Sequence, residues 1–226
     1  MIDVDKIIKA YSRAKGVNAE MAFLERGADT YADAQRYATL TGDVVERILG
    51  TNIDLSNVDA AEAAEAMNKV FQKPFNDVSR VINNVQYRIN QDAGIGLKPL
   101  VPGFSSKRIG FLVDEVTKSD ATQDFIKNEI TNFFMKSVDE AVAMNMEAHS
   151  NAGLETYIRR TYDDVGVHNR KDPCEWCLER AGEWTDYDEA YAAGVFERHP
   201  GCACEIEYKV GRTHTRATSA SNWINV

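Results

Sequence analysis

Residues 1–93 carry apolar side chains with the period of a helix, and nowhere there do they alternate with the period of a strand. Val4, Ile7, Ile8 and Tyr11 predict a short helix over residues 3–14, with Asp3 as its N-cap and Gly16 as its stop. Asn18 caps a second helix through Met21 and Leu24. Tyr31, Ala34 and Leu40 extend a looser stripe, Thr41-Gly42-Asp43 reads as a break, and Val44, Val45, Ile48 and Leu49 form one more apolar turn before Gly50. After a polar loop from Thr51 to Asn57, residues 58–72 are alanine-rich and helical by propensity. Pro74 is expected to break or restart that helix. The stripe Phe75, Val78, Val81, Ile82, Val85 and Ile89 then runs to Gly94 and Gly96.

Residues 94–121 read differently. Gly94, Gly96, Pro99, Pro102, Gly103 and Gly110 punctuate their first part, which predicts a linker or extended arm rather than a packed element. A long helix is predicted over residues 122–152, capped by Thr122, with Ile126, Ile130, Phe133, Phe134, Val138, Ala141 and Val142 as its stripe and Ala152-Gly153 as its stop. From residue 153 the period shifts. Residues 156–162 suit a strand or a frayed helix end, Asp163 to Gly166 a turn, and Glu183 to Thr185 a strand. A short helix is expected from Asp188 to Phe196. Cys202, Cys204, Ile206 and Tyr208 alternate with Ala203, Glu205 and Glu207 as a two-sided strand. Residues 213–226 form a Ser/Thr-rich tail in which Trp223 is a candidate anchor. The expected class is α+β: a helical region at 1–93, the linker, the long connecting helix, and a small α+β domain at 153–212.

All four cysteines fall in that last domain, as Cys174-x2-Cys177 and Cys202-x-Cys204, with His199 just ahead of the second pair. Two close pairs from separate turns are how a protein assembles tetrahedral zinc from N and S donors. On an ideal strand the Cβ atoms of Cys202 and Cys204 would stand ~7 Å apart, so both ligate only if the backbone bends there. Five candidates, Cys174, Cys177, Cys202, Cys204 and His199, therefore compete for four places. The four-cysteine set is favoured, with His199 hydrogen-bonded beside it. Disulfides and free core cysteines are the alternatives. Crowded pairs in a chain without a signal-like N-terminus point instead to structural zinc.

Composition narrows the function classes. The chain carries a formal net charge of −9, and residues 151–226 hold 9 Lys and Arg against 13 Asp and Glu, a net of −4. That disfavours broad binding to a phosphate backbone. No apolar run is long enough to span a membrane. A Cys–His nucleophile is outweighed by ligation, because the cysteines cluster. A His/Asn-type nuclease would draw on His168, Asn169 and His214, but no Asp-His step accompanies them. No phosphate-loop, dinucleotide or H-E-x-x-H motif occurs.

The order Cys174-Glu-Trp-Cys177, Leu178-Glu-Arg-Ala-Gly182 and Arg198-His199-Pro200-Gly-Cys202-Ala-Cys204 resembles the C-terminal motif of Mu-like minor head, or head morphogenesis, proteins of tailed phages. Gly153-Leu-Glu-Thr-Tyr157-Ile-Arg159-Arg160 and the long helix before it fit the same layout, so the resemblance covers roughly residues 120–210. Mu-like proteins often lack the first cysteine pair, which places this chain in a cysteine-rich branch. The resemblance implies a non-enzymatic structural protein of the virion capsid, made in the host cytoplasm and acting in head assembly. Its implied partners are the portal or the major capsid protein, packaged DNA as a further contact, and further copies of itself. A zinc-binding nucleic-acid module or nuclease is the competing expectation.

Overall fold

A computed structural model describes residues 2–53, 58–118, 121–162 and 174–211. The expected turn at Asp163–Gly166, His168, Asn169, His214 and the tail with Trp223 lie outside the described residues.

The architecture is α+β, mainly helical, with one small sheet near the C-terminal end. Helices α1 (Val4–Val17) and α2 (Ala19–Gly27) begin where expected, each capped by its own side chain: Asp3 accepts from the Lys6 amide and Asn18 from the Met21 amide. Helix α3 (Tyr31–Asn52) opens with a reciprocal capping box between Thr30 and Asp33. It passes straight through Thr41-Gly42-Asp43, where the sequence suggested a break. Gly42 is there for contact, not for a turn. A Cβ placed on it would lie 2.6 Å from the Cα of Thr131, so only glycine lets α3 approach the helix it crosses.

Helix α4 (Ala60–Asp92) is likewise unbroken at Pro74, contrary to expectation. Proline removes one backbone donor. The turns on either side still share one apolar face, with Val70, Phe71, Phe75 and Val78 all buried, and that burial outweighs the lost bond.

The expected linker is corrected in the same way. Residues 106–116 form helix α5 (Ser106–Val116), capped by Ser105, with Ile109, Leu112, Val113 and Val116 buried at helical spacing. The glycine- and proline-rich stretch before it forms neither helix nor strand, yet it is fastened to the body. The Asn145 side-chain amide accepts from the Leu100 amide at 2.9 Å and donates to the Leu100 carbonyl at 2.7 Å, as a neighbouring strand would. Asn90 donates to the Leu97 carbonyl at 2.8 Å. Phe104 packs edge-on against Phe75 and Phe133.

Helix α6 (Gln123–Asn151), capped by Thr122, is the axis of the molecule. From the sequence it is a connecting helix long enough to bridge two domains, and it is buried on several faces. Phe133, Phe134 and Val138 face the helical body, and Asp139, Asn145 and His149 are buried as well. It packs against α3, α4 and α5, and also against the C-terminal elements. Gly153, at φ +73°, ends it.

Beyond Gly153, β1 (Glu155–Thr161) is the central strand of an antiparallel sheet in the order β2-β1-β3, between β2 (Gly182–Trp184) and β3 (Glu205–Gly211). Two short helices, α7 (Glu175–Glu179) and α8 (Tyr187–Ala192), flank β2. Ile158 sits opposite Trp184 and Tyr208, and Arg160 opposite Gly182 and Ile206. Strand β3 starts at Glu205, so Cys202 and Cys204 precede it instead of lying in it. Ile158, Val195, Ile206 and Tyr208 belong to the same apolar core as the N-terminal helices.

Candidate metal centre

Two backbone turns bring the cysteines together. In the first, the amides of Cys177 and Leu178 both donate to the Cys174 carbonyl, at 2.9 and 3.0 Å, as α7 begins. This one-turn helix puts the two sulfurs of the C-x2-C pair on one side. In the second, the Cys202 amide donates to the His199 carbonyl at 3.1 Å, and Gly201 takes φ +73°. That turn supplies the bend that the C-x-C spacing demands. It also explains why the strand begins only at Glu205: the two preceding cysteines are held in the loop.

The side chains form two triads that share Cys177. Cys174, Cys177 and His199 make one, and Cys177, Cys202 and Cys204 the other; within each, the donor atoms lie within 4.8 Å of one another. His199 Nε2 is 3.0 Å from the Cys177 sulfur and 3.3 Å from that of Cys174. The sulfurs of Cys177 and Cys202 are 3.8 Å apart. All five sequence candidates thus converge, and the cluster fits a metal ion. The ring orientation of His199 is set from its other side. Nδ1 lies 2.8 Å from the Pro200 carbonyl, an oxygen that only accepts. The proton therefore sits on Nδ1 and the Nε2 lone pair faces the sulfurs, as a ligating imidazole requires. Trp176 packs edge-on against the same ring at 5.1 Å.

The surroundings are cationic. Arg160, on the inward face of β1, donates to the Cys202 sulfur at 3.4 Å, to the Glu197 carbonyl at 2.7 Å, and to the Val195 carbonyl. Arg198 donates to the Cys204 carbonyl at 2.7 Å, to the Cys202 carbonyl at 3.1 Å and to the Cys202 sulfur at 3.7 Å. Its Nε and Nη2 both engage Asp139 of α6. The Cys204 thiol's hydrogen bond and the nearby Arg198 and Arg160 pull the Cys202 thiol down to about 4. Burial, and then the negative charge at Cys202, pushes Cys177 up to about 12. The Cys202 sulfur is thus ready to lose its proton, while that of Cys177 would lose its own to an incoming cation.

Sequence reasoning named the five donors but assigned no role to Arg160, Arg198 or Asp139. A signal for Arg160 existed: Thr156, Ile158 and Arg160 share one face of β1, so an arginine stands where the alternation calls for a buried residue. Nothing local marks Asp139, which lies 59 positions from its partner.

No protein-family model, no curated protein and no solved structure matches the chain. No helix among the described residues is long and apolar enough to cross a membrane.

Proposed function

We propose that the chain is a structural component of a tailed-phage head, acting in head assembly, and that the Cys/His cluster holds zinc to staple its C-terminal part. The observation that supports this is the convergence of the whole motif, from Cys174 to Cys204, on one centre. The residues that resemble the minor head motif are the residues that assemble the cluster. A thiolate-rich donor set with one imidazole suits zinc, which binds Cys and His in closed four-coordinate sites when its role is structural. Five protein donors leave no place for a reactive water. The sheet is only three strands, two of them flanking β1, and the connections around α7 and β2 have few regular backbone bonds of their own. A metal closing those loops contributes directly to folding.

In this reading the portal or the major capsid protein is the partner, and the protein travels in the virion. Mass spectrometry of purified particles from the phage that encodes this chain tests it. Its presence at a fixed ratio to the portal is expected, and its absence from mature particles and assembly intermediates alike would reject the role. Elemental analysis of protein purified under reducing conditions is expected to return one zinc per chain.

A further inference from the structure

Five side chains compete for an ion's four tetrahedral positions, and the charges packed around them distinguish among the possible sets. Arg160 is 1% exposed. Among the described residues its side chain meets two backbone carbonyls, the Cys202 sulfur, the Cys204 thiol and, at 5.5 Å, the Trp176 ring, and none of these is a carboxylate. A buried guanidinium cannot shed its proton and demands a nearby anion. Arg198 is already matched. Asp139 meets it with both oxygens, and a third donor, Gln35 Nε2, reaches Asp139 at 3.0 Å. Every hydrogen bond on that carboxyl comes from an N–H donor and none is left to accept a carboxyl proton, so although burial pulls its pKa up, its charge is met first by Arg198, with Arg160 acting on it only at longer range. The other arginine of the loop, Arg180, stacks on Trp176 and pairs with Glu179.

Among the described residues, the positive charge with no carboxylate hydrogen-bonded to it is that of Arg160, facing the sulfurs. A divalent ion with three thiolates and a neutral imidazole carries one negative charge and balances it. Four thiolates would carry two and leave one buried and unmatched. The imidazole is in position, its Nε2 aimed at Cys174 and Cys177. Cys202 is the sulfur that both arginines touch, and Cys177 stands 3.8 Å from it, about the edge of a zinc–sulfur tetrahedron.

Resting on the metal reading above, we propose that the centre is a three-thiolate, one-imidazole site formed by Cys174, Cys177, His199 and Cys202. Arg160 is its built-in counter-charge, and Cys204 lies outside the coordination as a packed thiol under β3. Arg160 is a positioning residue for the ion, selecting a centre of single negative charge.

X-ray absorption on zinc-loaded wild-type protein counts the donors without any variant. Three sulfurs and one nitrogen are expected, and four sulfurs would overturn the ligand set. Cobalt-loaded protein gives a second readout. Cys204→Ser is expected to keep the full thiolate-to-cobalt absorption of the wild type, whereas Cys202→Ser loses about a third of it; a matching loss in Cys204→Ser overturns the assignment. Arg160→Gln is expected to weaken zinc in a chelator competition by roughly tenfold or more, with Arg160→Lys recovering part of that. Unchanged affinity in Arg160→Gln would remove its counter-charge role. Wild-type protein that takes up neither zinc nor cobalt fails the metal reading itself, an outcome separate from any miscount of sulfurs.

Discussion

Arg198 and Asp139 form an ion pair in which neither side chain has any solvent exposure, and it joins the residue preceding His199 to the middle of the central helix. Gln35 of α3 extends the link: its Nε2 donates to Asp139, and its Oε1 accepts from the Ile206 amide at the start of β3. One polar chain therefore runs from the helical body through α6 to the Cys/His loop and the sheet edge. In a low-dielectric interior such a pair tolerates the loss of both charges far better than the loss of one.

Replacing Asp139 with Asn is accordingly expected to cost about 3–5 kcal/mol, because Arg198 stays charged with nothing to meet it. The double variant Asp139→Leu with Arg198→Met is expected to be markedly less destabilised than Asp139→Asn alone. Urea unfolding of the three proteins with metal present checks this. A loss below ~1 kcal/mol for Asp139→Asn would mean that the pair is relaxed or hydrated in solution.

Metal removal has a directional signature. Since Cys177 belongs to both triads, Cys177→Ser disrupts the site whichever four donors are used. It is expected to lower the melting temperature and to abolish the rise that added zinc produces in the wild type. That rise corresponds to about 2.7 kcal/mol when free zinc is a hundred times its dissociation constant. Hydrogen exchange should locate the loss in β2, α7 and the 198–204 loop first. These have the fewest backbone ladder bonds, whereas the midpoints of α3 and α6 sit in the core. Equal loss of protection everywhere would show instead that the staple holds the entire molecule.

His149 supplies a pH test away from the metal. It is buried, its Nδ1 lies 2.6 Å from the Tyr208 hydroxyl, and the two rings stack. Burial holds its pKa below the ordinary 6.5. The unfolded chain therefore binds a proton at higher pH than the folded one, so stability is highest above about 6.5 and falls as the pH drops below it, down to the depressed folded value. His149→Gln is expected to flatten that part of the stability–pH curve. A wild-type curve that is flat or rises as pH drops below 6.5 would contradict a buried neutral imidazole.

Most helices were legible because their apolar faces repeat over several turns, and their caps at Asp3, Asn18 and Thr122 are local side-chain chemistry. The misreadings have a common cause. Gly42, Pro74 and the Gly/Pro cluster at 94–110 carry local meanings as breakers, and in each place tertiary contact overrides them. Gly42 admits Thr131, Pro74 lies within a continuous buried face, and Asn145 holds Leu100. Helix α5 did announce itself, with Ile109, Leu112, Val113 and Val116 at helical spacing after Ser105, but the preceding glycines and prolines masked it. The five candidate donors were readable from spacing alone. The bend that unites them and the buried charges that balance them depend on residues far apart in the chain.

The two roles of glycine in this fold give a final prediction with opposite signs. Alanine is the better helix former by about 1 kcal/mol in a helix interior, so Gly→Ala should stabilise wherever the new methyl group has room. Gly110, inside α5, has nothing within 4 Å of the added Cβ, and Gly110→Ala is expected to gain about 0.5–1 kcal/mol. At Gly42 the same methyl meets the Thr131 Cα at 2.6 Å and its Oγ1 at 2.7 Å. The Cα is backbone and cannot rotate aside, so α3 and α6 must move apart along the most extensive helix–helix contact among the described residues. Overpacking of this kind costs about 1–3 kcal/mol, and a forced separation of two backbones belongs at the upper end. Gly42→Ala is therefore expected to be net destabilising by about 2 kcal/mol despite its better propensity. Denaturant midpoints for the two variants, taken at equal zinc, check the contrast. If Gly42→Ala proved as stable as the wild type, the close crossing of α3 on α6 would have to be looser than the structure has it.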